Sequence, residues 1–250
     1  MRIAVAGGTG LVGRMVVARL LAAAHEPVVL ARAQGVDLVT GAGLEGTLSG
    51  CRAVIDVSNV VTVRKRVSVE FFARASGNLL AAARRSGVRH LVALSIVGCD
   101  AVDFGYYHGK RAQEEVVAGG GVPWTILRAT QFFEFPEPLL ANRSPVAVVP
   151  RMLSRPVAAE EVAASLVAHA EQDATGYAPE LAGPERMDVV DMARRLVEAR
   201  GLRKLVLPIS APGEVGARMR GGGLLPRGEH VQGQWTFDRY LAGIRDAAGR

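Results

Sequence analysis

Apolar and polar positions alternate along this chain in two rhythms, one of strands and one of helices. Arg2-Ile3-Ala4-Val5-Ala6 is a short apolar run ending at glycines, and it predicts a buried parallel strand. Val12, Met15, Val16 and Leu20 then recur at helical spacing, predicting a helix to about Ala24. Pro27-Val28-Val29-Leu30-Ala31 predicts a second strand, Val36-Asp37-Leu38-Val39 a short third and Ala53-Val54-Ile55-Asp56-Val57 a fourth. A long helix follows, with Phe71, Ala75, Leu79 and Ala82 on one face and Gly87 where a helix commonly ends. Leu91-Val92-Ala93-Leu94 predicts a fifth strand, 108–118 a helix and Trp124-Thr125-Ile126-Leu127 a sixth strand. Strands alternating with helices over residues 1–130 predict an α/β fold with a doubly wound parallel sheet.

Past residue 130 the rhythm changes. Pro136, Pro138, Pro145, Pro150 and Pro156 punctuate a loop-rich stretch, helices are predicted at 160–170 and 188–199, and the tail beyond is poorly patterned. Gly221-Gly222-Gly223 reads as a flexible loop, and there is no internal repeat and no long linker.

The first strand and first helix are joined by Gly7-Gly8-Thr9-Gly10-Leu11-Val12-Gly13. Glycines in such a turn allow a tight bend, a close approach of backbone to a pyrophosphate, and packing of helix on strand. The helix start offers unpaired N–H groups and a positive dipole end to phosphates. Placed between a strand and a helix, the pattern predicts a dinucleotide-binding Rossmann fold. The chain then reads as a single domain: a dinucleotide-binding core over 1–130 and a small C-terminal substrate-side cap over 131–250. NAD-specific sites place an acid at the end of the second strand. Here Arg32 follows Leu30-Ala31 and the first acid is Asp37. A guanidinium pairs with a 2′-phosphate through its planar fork, so the cofactor predicted is NADPH.

Charge and composition narrow the partners. The net charge of +6 comes from arginines scattered along the chain, and the densest run is Arg64-Lys65-Arg66, read as a solvated helix end. No nucleic-acid partner is expected. Cys51 and Cys99 lie far apart, and the five histidines form no paired motif, so neither disulfide nor metal is expected. The chain begins directly in a strand and has no apolar stretch of membrane-spanning length; the expectation is a cytoplasmic protein acting on a small molecule, as monomer or homodimer.

The segments G-G-T-G-L-V-G, L-A-R, S-I-V-G, Y-Y-H-G-K-R-A-Q-E-E, P-W-T-I-L-R-A-T-Q-F and A-G-P-E, taken in order, resemble the NmrA-like group of atypical short-chain dehydrogenases. The resemblance runs from Met1 to about Arg200 and returns weakly at Gln234-Trp235-Thr236-Phe237. It implies that Gly7, Thr9, Gly10, Leu11, Val12 and Gly13 line the pyrophosphate, and that Arg32 meets the 2′-phosphate. Val57, Ser58 and Asn59 would border the adenine side, and Ser95 and Ile96 would face the nicotinamide. Lys110 would hold the nicotinamide ribose, with Thr130, Gln131 and Phe132 bordering nicotinamide and substrate. Short-chain dehydrogenases use a Ser and a Y-x-x-x-K pair, in which Lys lowers the Tyr pKa and Tyr delivers a proton. Ser95, Tyr106 and Lys110 match that catalytic pattern, although a helix starting at Tyr107 would take Tyr106 off the face of Lys110.

Other residues carry bland readings. His108 is expected as an exposed residue at a helix start, Glu114 and Glu115 as solvated, Trp124 as core and Cys99 as a small buried residue. Phe132, Phe133 and Phe135 form an apolar face for a flat substrate or pack beneath the cap. Three functions follow: an NADPH-dependent oxidoreductase moving hydride to an aromatic or quinone-like carbonyl, quinone or enone; a non-catalytic NADP-binding regulator; or an isomerase or ring-modifying enzyme on the same fold. The cofactor reading is directly testable. NADPH should bind tighter than NADH by roughly 10- to 150-fold, the worth of hydrogen bonds to a charged group, and Arg32→Ala should erase most of the difference. Calorimetric titration giving equal affinities for the two cofactors would refute it.

Overall fold

Side chains on the first strand alternate between two cores. In β1 (Arg2–Ala6), Ile3 and Val5 face one side of the sheet while Ala4 and Ala6 face the other, so both faces are covered. The structure is a computed structural model that describes residues 1–248. After β1 come α1 (Leu11–Ala22), β2 (Glu26–Leu30), α2 (Leu44–Leu48), β3 (Ala53–Asp56), α3 (Lys65–Arg85), β4 (His90–Ile96), α4 (Gly105–Gly119) and β5 (Trp124–Ala129). The remainder holds α5 (Glu137–Leu140), β6 (Val146–Pro150), β7 (Leu153–Ser154), α6 (Ala159–Glu171), β8 (Gly176–Tyr177), β9 (Glu180–Ala182), β10 (Met187–Asp188) and α7 (Val189–Ala199). It ends with β11 (Leu205–Ile209), α8 (Gly213–Arg220), β12 (His230–Gln232) and α9 (Phe237–Ala248).

The main sheet has the order β12-β9-β5-β4-β3-β1-β2, with β8 also on β5, and its pairings are parallel. Helices α1 and α6 cover one face. Helices α2, α3 and α4 cover the other. From β1 the chain winds outward to β2, then returns to β3 on the opposite side. This reversal opens a crevice at the carboxyl ends of β1 and β3, where a doubly wound sheet binds its ligand.

The expected third strand at 36–39 does not form. Asp37 turns its carboxylate onto the amides of Val39 and Thr40, at 2.8 and 3.0 Å, and Asn78 donates to the carbonyls of Leu38 and Val39. Groups that a ladder needs are thus taken by side chains, and Val36 is buried in the core with Leu38 half-buried against it. The sheet therefore ends at β2.

The unpatterned tail is ordered by long-range pairing. Strand β11 pairs with β6, β12 extends the main sheet beside β9, and α9 packs on α7. Gly221-Gly222-Gly223, expected as a flexible loop, instead closes α8: Gly221 and Gly223 donate to the carbonyls of Ala217 and Arg218, both at 2.8 Å. A third core joins α7, α9 and β6 to the loops after β4 and β5. Phe133 lies there, 1% exposed, against Phe237 and Tyr240 at ring distances of 5.4 and 5.6 Å. Of the two readings of the Phe-rich loop, packing beneath the cap describes Phe133. Phe133→Ala should cost ~3–5 kcal/mol of stability by leaving a cavity. Chemical denaturation showing a loss below about 1 kcal/mol would mean the cap collapses to fill it.

Candidate cofactor and substrate site

The turn after β1 is shaped by backbone contact. Gly7 has φ +79°, and a Cβ there would come within 2.8 Å of the Val57 carbonyl oxygen. A Cβ on Gly13 would lie 2.1 Å from the Gly7 carbonyl oxygen. These two glycines are required by the protein itself. Gly10 is different: it is exposed and would meet only the Gly7 oxygen at 3.3 Å. Its freedom is useful only to something arriving from outside.

Gly10 is the N-cap of α1, with no side-chain cap and no acid in the first turn. The first N–H groups of α1 therefore point, uncapped, toward the crevice. Thr9, Gly10 and Leu11 form its open surface, whereas Val12 and Gly13 are buried and offer backbone only. Arg14 donates to the Thr9 carbonyl at 2.7 Å, a cation beside the turn that the sequence reading missed. Across the crevice, Ser58 is buried, and its hydroxyl has no partner among the described residues. A buried hydroxyl without a partner is costly, and a polar ligand relieves it. The cradle and the orphaned hydroxyl fit a dinucleotide. Arg32 begins a short 3₁₀ turn just after β2 and is exposed; its carbonyl accepts from the Gly35 amide at 3.0 Å, and its side chain makes no hydrogen bond or ion pair among the described residues, although its charge helps hold the Asp37 carboxyl below its usual range.

The catalytic candidates sit on α4 and the end of β4. Because α4 starts at Gly105, Tyr106 and Lys110 stand one turn apart on the same face. A Cβ on Gly105 would fall 2.1 Å from the Val63 carbonyl oxygen, so glycine lets the helix begin against the loop after β3. The Tyr106 hydroxyl donates to Asn59 Oδ1 at 2.7 Å, and burial pushes its pKa up. Lys110 is buried, with its ammonium over the Phe72 ring and donating to the Leu94 carbonyl at 2.6 Å and to Gln113. Desolvation pushes its pKa down to about 8, with the charge of Asp56 opposing. Gln113 in turn donates to the buried Asp56 carboxylate at 2.9 Å, which also accepts from Ser76 and from the Ser58 amide.

Ser95 belongs to a separate cluster. Its hydroxyl donates to Glu114 Oε1 at 2.5 Å. Arg128 grips the same carboxylate through Nε at 2.9 Å and Nη2 at 2.7 Å. Glu114 is thus buried and paired, not solvated as its sequence context implied, whereas Glu115 is exposed. Cys99 is fully buried beside Ser95 and Glu114, and burial raises its thiol pKa to about 11. Ser95 and Tyr106 therefore have different hydrogen-bond partners and do not bond each other. Ile96 packs against the cap core. Thr130 donates to the Arg155 carbonyl, Gln131 accepts from Ser154 and Phe132 pairs with Val157, so the loop after β5 is tied to the segment before α6. Besides Arg14, Asp56 and Gln113 escaped the sequence reading, and Glu114 was read there as solvated; an acid ending the apolar run Ala53-Val54-Ile55-Asp56 was the available signal for Asp56. Among the described residues no group of side chains could hold a metal ion, and no helix is long and apolar enough to cross a membrane.

A family model described as NAD(P)H-binding matches residues 7–173. The chain belongs to the NAD(P)H-binding family. This agrees with the resemblance drawn from the sequence and with the Rossmann fold. An NADPH-dependent quinone oxidoreductase from Escherichia coli, solved with NADPH, is similar with a TM-score of 0.71 and 20% identity over 97% of this chain and 99% of that one. A UDP-N-acetylglucosamine 4-epimerase from Bacillus cereus is similar with the same TM-score of 0.71 and 17% identity over 100% of both chains. One fold thus carries a reductase and an epimerase, so fold alone does not choose the reaction. A protein of Streptomyces griseus named (4-alkanoyl-5-oxo-2,5-dihydrofuran-3-yl)methyl phosphate reductase is 38% identical over 145 residues, 52% of this chain and 48% of that protein. The match spans about half the length of that relative.

The two kinds of glycine in the turn of this NAD(P)H-binding protein make separable predictions. Gly10→Val should leave the fold intact by circular dichroism and abolish cofactor binding. Gly13→Ala should instead destabilise the chain, because its Cβ meets backbone rather than ligand space. A Gly10→Val variant binding NADPH with wild-type affinity would move the site elsewhere.

Proposed function

We propose that this chain is an NADPH-dependent reductase that delivers hydride to a carbonyl, quinone or enone on a small molecule in the cytoplasm. Residues 1–130 would act as the cofactor-binding core and 131–250 as a cap in one domain. The observation that carries the cofactor half is the uncapped start of α1 facing the orphaned Ser58 hydroxyl, with an exposed Arg32 at the end of β2. The relative from Streptomyces griseus supports the reaction half. Its named substrate is an unsaturated lactone carrying an acyl group and a methyl phosphate, in which the carbon–carbon double bond is conjugated to carbonyls.

When bound, NADPH would supply the hydride. The chain's own residues do the rest. The backbone of 9–13 and Arg14 would hold the pyrophosphate, and Arg32 would pair with the 2′-phosphate. Val57, Ser58 and Asn59 would line the crevice, and Thr130, Gln131 and Phe132 would close it over the nicotinamide. Lys110, fixed by Leu94 and Gln113, would present positive charge beneath the ribose. Tyr106 would release Asn59 and donate its hydroxyl proton to the oxygen that gains charge. Ser95 would act through packing, since Glu114 already holds its hydroxyl.

One observation favours a second reading, a non-catalytic NADP-binding regulator. Ser95, Tyr106 and Lys110 make their hydrogen bonds to other residues and none to one another, and burial raises the Tyr106 pKa with no lowering by lysine. Turnover separates the two. NADPH oxidation should be seen with at least one member of a panel of quinones, aromatic ketones and acylated unsaturated lactones. Tyr106→Phe should then lower kcat by roughly 10²–10⁴-fold with NADPH affinity nearly unchanged, the usual loss for a general acid, while Lys110→Ala damages both. NADPH binding without turnover of any panel member supports the regulator, and Tyr106→Phe at wild-type rate removes Tyr106 as proton donor.

A further inference from the structure

Asp56 ends β3 at the carboxyl edge of the sheet, fully buried, and its two oxygens serve two different parts of the site. Oδ1 accepts from the Ser58 amide at 3.0 Å. That bond fixes the loop on the dinucleotide side. The backbone of Val57 and Ser58 lies against Gly7, where a Cβ would come within 2.8 and 2.9 Å of it, and Ser58 carries the hydroxyl without a partner. Oδ2 accepts from Gln113 at 2.9 Å and from Ser76 at 3.3 Å. Gln113 passes the contact on, because its Oε1 accepts from the Lys110 ammonium.

The polarity of this chain of contacts is fixed at both ends. An ammonium only donates and a carboxylate only accepts, so the amide between them turns its oxygen to Lys110 and its nitrogen to Asp56. Asp56, Ser76, Gln113 and Lys110 are all buried, and no link is replaced by bulk water without cost. Around the ammonium, α3 presents the Phe72 ring and β4 the Leu94 carbonyl. Desolvation brings the Lys110 pKa down to about 8, and the groups that oppose it are Asp56, then Cys99 after β4 and Glu114 on α4 itself.

We propose that Asp56 is a positioning residue that couples the two halves of the site, holding the Ser58 loop directly and the Lys110 ammonium through the amide of Gln113. This rests on the cofactor half of the reading above, in which Ser58 lines the dinucleotide crevice and Lys110 lies beneath the ribose. An asparagine at 56 serves one half only. With its oxygen toward Ser58, its nitrogen meets the Gln113 nitrogen, and the Gln113 amide has to turn over and aim donors at an ammonium. With its oxygen toward Gln113, the Ser58 amide loses its acceptor. The Ser76 hydroxyl adapts to either, since it donates or accepts. Moving the carboxylate one step along restores the pattern. In Asp56→Asn, Gln113→Glu the amide at 56 accepts from Ser58 and donates to the carboxylate at 113, which accepts from Lys110, and the total charge is unchanged.

The test is calorimetric titration of the full chain with NADPH, with folding checked by circular dichroism. Asp56→Asn should weaken NADPH about tenfold or more, the effect of losing a hydrogen bond to a charged group. Asp56→Asn, Gln113→Glu should return to within about threefold of wild type, a coupling that members of one network show and independent residues do not. The pH dependence gives a readout that a merely structural role would not move. Lys110 is charged below about pH 8 and its charge favours an anionic dinucleotide, so wild-type affinity should fall as pH rises through about 8. The fall should begin at lower pH in Asp56→Asn, which removes an opposing charge. It should begin at higher pH in the double variant, whose carboxylate touches the ammonium. Wild-type affinity and pH profile in Asp56→Asn overturn the coupling, and so does a double variant that binds no better than the single one. If Asp56→Asn fails to fold, the double variant decides. Folded and binding NADPH, it supports the coupling; unfolded as well, it shows that the carboxylate at 56 serves stability alone and overturns it. Failure of the cofactor reading shows separately, as a folded wild type that binds no NADPH, and it removes the coupling with it.

Discussion

Helix α4 carries its polar groups on the inside, and the organisation of the site depends on how they are paired. Lys110, Gln113 and Glu114 are all buried against the sheet. Burying charge is tolerable only when partners replace water. Here Asp56 at the end of β3 takes Gln113, the Leu94 carbonyl on β4 takes Lys110, and Arg128 on β5 takes Glu114. One helix is thereby bolted to three adjacent strands at their carboxyl ends, the edge where the crevice opens. Removing either partner of the Glu114–Arg128 pair would strand a buried charge, so the arrangement is specified as well as held.

That pairing shapes the chemistry. A serine and a lysine that a short-chain dehydrogenase would aim at its substrate are here engaged inside the protein: Ser95 with Glu114, Lys110 with a carbonyl and an amide. Tyr106 is the member of the set nearest the open loop, and it is held by Asn59 rather than activated by Lys110.

The dinucleotide end is built differently. There the start of α1 is uncapped and the buried Ser58 hydroxyl has no partner among the described residues, which is a cost to the free protein that a polar ligand would relieve.

Much of this was legible in the chain itself. The glycine turn, the alternation of strands and helices through β5, the missing acid after β2 and the boundaries of α6 and α7 are local matters, set by periodicity, backbone freedom and charge within a few residues. Tertiary structure decided what depends on partners distant in sequence. Asp37 and Asn78 diverted the backbone at 36–39 from strand to turn, a contest between local side chains and a ladder that periodicity does not register. Strands β11 and β12 have little pattern of their own and exist because β6 and β9 offer edges to them. Glu114 reads as a solvated helix residue until Arg128, on a strand fourteen residues later, folds over it and excludes water. Which polar groups are buried, and therefore which are committed and which remain free to act, was settled by pairing across the fold, because the cost of burial is paid or waived only by a partner in space.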